Sequence, residues 1–205
     1  MSKANVTDMK KESGMKTEKG MLEEIIIAGF GGQGVLSMGQ TLGYASMVEG
    51  KEVTWMPSYG PEMRGGTANC ITIVSDDTIS SPIISRFDTA IILNQPSMEK
   101  FDAKVKPGGI MIYESTNILH ASERTDIEIY PIPAADEANK MNNAKVANMI
   151  LLGAFLERKP IVSFDSIIEA LKKVLPERYH HLLKLNREAL EAGQRLMREQ
   201  ITNQK

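Results

Sequence analysis

Apolar residues along the chain occur in two patterns, short continuous runs and positions at helical spacing. Residues 25–28 form a β-branched apolar run, which is typical of a strand buried on both faces of a parallel sheet. The apolar positions that follow recur at steps of three and four residues and predict one face of a helix: Val35, Met38, Leu42 and Ala45. Gly50 stands where a glycine often ends a helix. A buried strand followed by an amphipathic helix predicts the start of an α/β fold.

Similar apolar runs predict five more strands, over residues 52–56, 68–74, 89–93, 110–113 and 127–130. Pro96 fits the first turn of a helix that ends before Pro107. The chain after residue 134 is mostly helical, with a helix through residues 146–157. Ser163 predicts the N-cap of a helix that continues to Leu175, and Asn186 predicts the N-cap of a last helix over residues 187–200.

These elements predict a Rossmann-like α/β fold, with a mostly parallel sheet flanked by helices and with additional C-terminal helices. The 205 residues suit one domain, because single cores commonly serve about 100–200 residues. We expect a flexible polar leader over residues 1–21, one α/β domain over residues 22–200, and a polar tail over residues 201–205.

Charge and cysteine content narrow the function classes. The net charge is −2 and no basic block occurs, so the sequence does not favour a nucleic acid or an anionic membrane as partner. No apolar run approaches the ~20 residues that span a bilayer, and we expect a cytoplasmic protein. The one cysteine, Cys70, cannot make an internal disulfide and cannot by itself hold an iron–sulfur cluster or a cysteine zinc site.

A glycine-rich turn joins the first predicted strand to the first helix. Gly29, Gly31 and Gly34 follow the GxGxxG pattern of dinucleotide-binding turns, with Gly32 and Gln33 between them. Such a turn brings backbone N–H groups and a helix N-terminus close to an anion. Two interpretations remain open, binding of a phosphate and simple close packing of strand and helix. A classical NAD site also needs an acidic residue at the end of the second strand, and residues 54–57 supply none.

A second unusual segment, residues 58–67, follows the second predicted strand. In a doubly wound sheet this segment lies at the same edge as the glycine turn. Arg64 is a planar cation suited to a carboxylate or phosphate, Tyr59 offers a ring and a hydroxyl, and Gly65 and Gly66 allow close approach of the main chain. The alternative is a structural loop in which Arg64 pairs with a nearby carboxylate.

The two segments together resemble the gamma subunit of 2-oxoacid:ferredoxin oxidoreductases. The motifs are Gly29-Phe-Gly-Gly-Gln-Gly34 and Ser58-Tyr-Gly-Pro-Glu-Met-Arg-Gly-Gly66. Residues 94–97, 106–109 and 186–193 add supporting context, and the resemblance extends from about residue 22 to residue 193.

The resemblance implies a subunit of a larger enzyme that is not active alone. Such enzymes decarboxylate a 2-oxoacid on thiamine diphosphate with Mg, pass electrons through iron–sulfur clusters to ferredoxin, and release an acyl-CoA. The resemblance places those cofactors on companion alpha and beta subunits, with or without a delta subunit, and none on this chain alone. Coenzyme A is the ligand that this chain could contact, and isolated chains can form homodimers.

The resemblance also implies which residues matter and leaves the substrate open. We expect no catalytic or metal-binding residue on this chain. The expected cofactor-binding residues are Gly29, Gly31, Gly32, Gln33, Gly34, Tyr59, Arg64, Gly65 and Gly66. Both 2-oxoglutarate and branched-chain 2-oxoacids are open as substrates, and pyruvate is less favoured. A stand-alone NAD(P)-binding reductase and a non-catalytic interaction module remain the alternatives.

Overall fold

The computed structural model describes residues 20–60 and 66–204. The predicted leader, apart from Gly20 and Met21, and residues 61–65 lie outside the described part of the chain. Its strands are β1 (Leu22–Phe30), β2 (Glu52–Tyr59), β3 (Thr67–Ser75), β4 (Phe87–Ile92), β5 (Val105–Glu114) and β6 (Glu128–Ile132). Its α-helices are α1 (Val35–Val48), α2 (Gln95–Phe101), α3 (Ala134–Lys140), α4 (Ala147–Arg158), α5 (Phe164–Val174) and α6 (Leu183–Asn203).

The strands form one mixed sheet in the order β2-β3-β1-β4-β5-β6. β1, β4, β5 and β6 run parallel, and β3 is antiparallel to both of its neighbours. The predicted α/β fold with a mostly parallel, helix-flanked sheet is confirmed. The reversal of β3 was not predicted, and it follows from the short connection between β2 and β3. Seven residues can join antiparallel neighbours, whereas parallel neighbours need a crossover of about a dozen or more.

The centre of the sheet is buried on both faces, which explains the continuous apolar run in β1. Ile25 and Ile27 face a core formed with α1 and with the helices that follow β6. Ile26 and Ala28 face a smaller core formed with Met98 and Phe101 of α2. Helices therefore leave the sheet on opposite faces after β1 and after β4.

Helices α4 and α6 cross in close contact at two glycines. A Cβ atom on Gly153 would overlap the Leu190 carbonyl oxygen, and one on Gly193 would overlap the Ile150 carbonyl oxygen. Each glycine thus faces the backbone of the other helix. The contact requires the absence of both side chains, because a carbonyl within a helix cannot move away without moving the helix.

Two predicted helix starts have different outcomes. The Ser163 hydroxyl accepts a hydrogen bond from Ser166 N–H at 3.2 Å, which confirms Ser163 as the N-cap of α5. The prediction of Asn186 as an N-cap was wrong, since α6 begins at Leu183. The Asn186 amide instead donates to the Leu182 carbonyl at 2.8 Å from within the first turn. A 3-10 helix over Glu177–Leu182 leads directly into α6, so α6 begins before Asn186.

The strand and helix around Gly108 also differ from the prediction. Helix α2 ends at Phe101, and β5 begins at Val105 and continues through the Pro107-Gly108-Gly109 segment that was predicted to lie outside a strand. The parallel pairing of β4 with β5 shifts register between Phe87 and Thr89, so this part of β5 is irregular. Gly108 accommodates the irregularity with φ of 76°.

Cys70 is fully buried on β3, beneath α1. Burial raises the pKa of its thiol to about 12. At pH 8 only about one thiol in ten thousand is then ionised, and the thiolate is the reactive form. We expect native chain to react with Ellman's reagent at least about a thousandfold more slowly than urea-denatured chain. Rapid labelling of one thiol in the native chain would contradict this placement.

Candidate functional site

The glycine turn has the geometry of an anion-binding helix N-terminus. Gly32 and Gly34 have φ of 96° and 77°, values that side-chain-bearing residues rarely adopt. The first backbone hydrogen bond of α1 runs from Met38 N–H to the Gly34 carbonyl at 2.9 Å. The N–H groups of residues 35–37 therefore have no partner inside the helix, and the first turn of α1 carries no acidic side chain. Together with the partial positive charge of the helix end, these groups suit an anion.

The glycine loop, residues 30–34, is held from three directions. Gly31 N–H donates to the Gly66 carbonyl at 2.9 Å, which ties the loop to the start of β3. The Gln33 side chain accepts from Phe30 N–H at 2.6 Å and donates to the Leu93 carbonyl at 3.3 Å, which ties it to the end of β4. On the helix side, the amide of Asn148 donates to the carbonyl of residue 34 at 3.3 Å.

A cavity of about 350 Å³ lies between the glycine loop, the first turn of α1 and the ends of β2 and β3. The reversed β3 makes β2 run in the same direction as β1, so the end of β2 reaches the same edge of the sheet as the glycine turn. The cavity is lined by Phe30, Gly31, Gly32, Gly34, Val35, Leu36, Ser37, Tyr59, Gly66, Thr67 and Ala68.

The structure brings together five of the nine predicted site residues: Gly31, Gly32, Gly34, Tyr59 and Gly66. Tyr59 is 64% exposed, so its ring is free to contact a ligand at the cavity mouth. Gly29 and Gln33 lie behind the cavity and do not line it. Arg64 and Gly65 lie outside the described residues, in the segment between Gly60 and Gly66. A binding role for all nine residues stays a prediction.

The polar groups of the described cavity lining come from the backbone and from hydroxyls. No charged side chain is among the lining residues that the structure describes. Such a surface attracts an anion through N–H dipoles, and a nearby cation would strengthen that attraction. Arg64 is the positively charged residue of the segment that connects β2 to β3, so its charge is opposite to that of an anion.

The Gln33 side chain bridges the ends of β1 and β4. These strands are parallel neighbours whose helices leave to opposite faces, which is where doubly wound folds place dinucleotide phosphates. A Cβ atom on Gly29 would be 2.7 Å from Gln33 Oε1 and 2.9 Å from Leu93 Cβ, so both side chains pack against this glycine. The Gln33 side chain at this position and the missing acidic residue at the end of β2 both argue against the reductase alternative.

Two groups that hold the glycine loop lie outside the motif and were not predicted: the Asn148 amide and the Leu93 carbonyl. Asn148 is buried on α4, a helix whose residues 148–156 are all buried, and its Oδ1 accepts from Met149 N–H at 2.9 Å. At 100° per residue Asn148 lies opposite the apolar stripe that predicted this helix, so the periodicity gave no signal for its burial. The Leu93 contact uses a backbone carbonyl, a group that every residue carries, so the sequence gives no signal for it.

Residues 20–60 and 66–204 contain neither a metal-binding cluster nor a membrane-spanning helix. No cluster of three or more His, Cys, Asp or Glu residues there is arranged to hold a metal ion. None of the helices there has the length and apolarity that crossing a membrane requires.

Comparison with known sequences identifies the family. The family model described as pyruvate ferredoxin/flavodoxin oxidoreductase matches residues 24–196. Ketoisovalerate oxidoreductase subunit VorA of Methanothermobacter thermautotrophicus is 38% identical over 176 residues, covering 85% of this chain and 36% of VorA. The chain thus spans about a third of the length of that relative. The 2-oxoglutarate synthase subunit KorC of the same organism is 32% identical over 184 residues, covering 86% of this chain and 96% of KorC.

Solved structures that resemble this chain come from the same kind of enzyme. The gamma subunit of a keto/oxoacid ferredoxin oxidoreductase from Geobacter sulfurreducens has a TM-score of 0.72 at 27% identity, covering 85% of this chain and 98% of that one. A 2-oxoglutarate:ferredoxin oxidoreductase from Magnetococcus marinus, solved with 2-oxoglutarate, coenzyme A and succinyl-CoA bound, has a TM-score of 0.80 at 27% identity, covering 87% of this chain and 31% of that one. The resemblance indicated by the two glycine-containing motifs is confirmed: the chain belongs to the pyruvate ferredoxin/flavodoxin oxidoreductase family, and it is similar to the gamma subunit of a keto/oxoacid ferredoxin oxidoreductase.

Proposed function

We propose that this chain is the gamma subunit of an assembled, thiamine diphosphate-dependent 2-oxoacid:ferredoxin oxidoreductase, and that its cavity binds the phosphates of coenzyme A. The observation that carries the proposal is the set of N–H groups at the start of α1, which have no partner in the helix and no acidic neighbour in its first turn. Coenzyme A carries several phosphate charges, and a helix N-terminus with free N–H groups is a common phosphate site.

The residues present fit a phosphate-bearing ligand. A cavity of about 350 Å³ is at the small end of ordinary ligand pockets, so it suits the phosphate part of coenzyme A and not the whole molecule. The backbone of residues 31–37 would hold the phosphates, with Tyr59 at the mouth and Arg64 as the balancing cation. Coenzyme A supplies the thiol that receives the acyl group, and this chain's part is to orient it toward the companion subunits.

The rest of the reaction belongs to those companions in this proposal. The only thiol of the chain is buried, and burial raises its pKa to about 12, so Cys70 is unsuited to bind a cluster. Thiamine diphosphate, Mg and iron–sulfur clusters would therefore reside on alpha and beta subunits, with or without a delta subunit. The acceptor would be ferredoxin, and the compartment the cytoplasm.

The proposed substrate is 2-oxoglutarate or a branched-chain 2-oxoacid. Relatives named for ketoisovalerate and 2-oxoglutarate are 38% and 32% identical, whereas a pyruvate synthase subunit PorC is 26% identical. A tagged pull-down from the native cell, assayed for 2-oxoacid- and coenzyme A-dependent reduction of a viologen dye, tests the function and ranks the substrates. A chain that purifies alone and inert would overturn the proposal.

Arg64→Ala tests the cation of the site. In the assembled enzyme we expect the KM for coenzyme A to rise about tenfold or more, because one hydrogen-bonded charge contributes roughly 1.5–3 kcal/mol. We expect kcat at saturating coenzyme A and the yield of assembled complex to change little. Arg64→Lys is the matched control and should recover part of the affinity, since it keeps the charge but loses the bidentate geometry.

The outcomes of this experiment separate the alternatives. An unchanged KM for coenzyme A in both variants would contradict the proposed role of Arg64. Loss of assembly with normal affinity in the remaining complex would favour the interaction module.

A further inference from the structure

Gln33 is the one side chain of the glycine loop whose two polar atoms are both used inside the protein. Its Oε1 accepts from Phe30 N–H at 2.6 Å, and its Nε2 donates to the Leu93 carbonyl at 3.3 Å. Its own N–H donates to the Phe30 carbonyl at 3.2 Å. The side chain therefore folds back under the loop and joins the end of β1 to the end of β4.

The contacts of the Gln33 side chain lie on the side of the loop away from the cavity. The Gln33 amide packs against Gly29, where a Cβ atom would be only 2.7 Å from Oε1. The cavity lies on the other side of the loop, toward β2 and β3, and Gln33 is absent from its lining. On that side the loop is anchored by the hydrogen bond from Gly31 N–H to the Gly66 carbonyl.

We propose that Gln33 is a positioning residue, which fixes the glycine loop so that the free N–H groups of α1 point into the cavity. The proposal rests on the proposed function of that cavity and deepens it, by assigning Gln33 to the support of the ligand and not to contact with it. Gly32 and Gly34, both at positive φ, leave the loop many conformations in the absence of a tether. The Gln33 amide supplies the tether on the β4 side through one acceptor and one donor, while Gly66 and Asn148 hold the loop on its other sides.

The position of Gln33 also restricts which ligand can bind. Its amide occupies the crevice between β1 and β4, so the open anion site lies beside β3 instead. The site thereby accepts a phosphate at the ends of β2 and β3, beside Tyr59 and Gly66. A dinucleotide lying across the β1–β4 crevice would have to displace the side chain.

Hydrogen exchange in the isolated chain tests the tether directly. Gln33→Met keeps the length of the side chain and removes both hydrogen bonds. We expect the Phe30 amide to exchange at least about fivefold faster in Gln33→Met, which is the effect of losing roughly one net hydrogen bond. Gln33→Glu keeps an acceptor for Phe30 N–H and should restore part of the protection. The matched control is Gln40→Met, which makes the same change in α1 beside Tyr44 and Trp55, away from the glycine loop.

Steady-state kinetics of the assembled enzyme give the second readout. We expect Gln33→Met to raise the KM for coenzyme A about five- to tenfold and to leave kcat and the KM for the 2-oxoacid within about twofold. Gln40→Met should leave all three unchanged. Equal losses in kcat and in both KM values would indicate a general structural defect and would overturn the positioning role.

The two readouts distinguish failure of this inference from failure of the proposed function. Unchanged Phe30 exchange in Gln33→Met would overturn the tether, whatever the kinetics. Faster exchange with an unaltered KM for coenzyme A would overturn the link between the tether and the ligand. If Arg64→Ala also left the KM for coenzyme A unchanged, the proposed function of the cavity would be overturned as well. Faster exchange with a raised KM supports both.

Discussion

Gly193→Ala is expected to destabilise the chain by at least about 3 kcal/mol, the upper part of the range for overpacking a core. The new methyl group would overlap the Ile150 carbonyl oxygen of α4, which belongs to a helix backbone and cannot rotate away. Accommodating it requires α4 and α6 to separate, which opens the core around Leu190 and Phe155. Gly153→Ala should cost a similar amount, since its methyl group would overlap the Leu190 carbonyl oxygen. Urea denaturation followed by circular dichroism measures both effects.

Gly43→Ala is the matched control for the α4–α6 contact. Gly43 also lies within a helix, but a Cβ atom there would meet its nearest neighbour, Val53 Cγ1, at an ordinary 3.4 Å. Alanine should therefore be neutral or stabilise α1 by up to about 1 kcal/mol through its higher helix propensity. If Gly193→Ala proved as harmless as Gly43→Ala, the close crossing of the two helices would be wrong.

Gly34→Ala is expected to raise the KM for coenzyme A at least about tenfold in the assembled enzyme, because it changes the loop in two ways. A side chain at φ of 77° costs roughly 1–2 kcal/mol, and the added methyl group would overlap the Asn148 amide. Asn148 must then give up its hydrogen bond to the Gly34 carbonyl, so the start of α1 shifts away from the cavity.

Gly50→Ala separates backbone strain from the effect on the site. Gly50 has φ of 75°, almost the value of Gly34, but no atom lies within 4 Å of the position that its Cβ would take. It should lose about the same 1–2 kcal/mol of stability and leave the KM for coenzyme A unchanged. A tenfold rise in Gly50→Ala would show that the KM follows general stability, and would remove the argument that Gly34 acts at the site.

The strands could be predicted because the sheet is buried on both faces. Continuous apolar runs such as residues 25–28 indicate such strands directly. The strand predicted over residues 52–56 ends too early, because a proline such as Pro57 usually lies outside a strand, whereas β2 continues to Tyr59. Gly60 N–H donates to the Thr67 carbonyl, so every second residue of β2 directs its backbone N–H and carbonyl toward β3. Pro57 is one of the residues between them, and its backbone nitrogen faces away from β3. A proline fits there because β2 is an edge strand and its missing N–H breaks no pairing.

The part of the site that depends on the types and order of residues in the two motifs could be predicted, and the part that depends on tertiary contacts could not. The glycine turn and the position of Tyr59 and Gly66 beside it follow from the motifs and their order along the chain. Gln33 was predicted to contact a ligand, since an amide in a glycine turn can donate outward as well as inward. Its inward orientation depends on the Leu93 carbonyl, a backbone group 60 residues away in the chain. Asn148, 114 residues away from Gly34, is linked to it only by tertiary packing.

Photoaffinity labelling of the assembled enzyme tests whether the cavity binds coenzyme A. A coenzyme A analogue carrying a photoreactive group on its nucleotide portion would be cross-linked in the presence of the 2-oxoacid, and the labelled peptides mapped by mass spectrometry. We expect labelling of this chain within residues 30–37 or 59–68, blocked by excess coenzyme A and reduced in Arg64→Ala. Labelling confined to the companion subunits would contradict it.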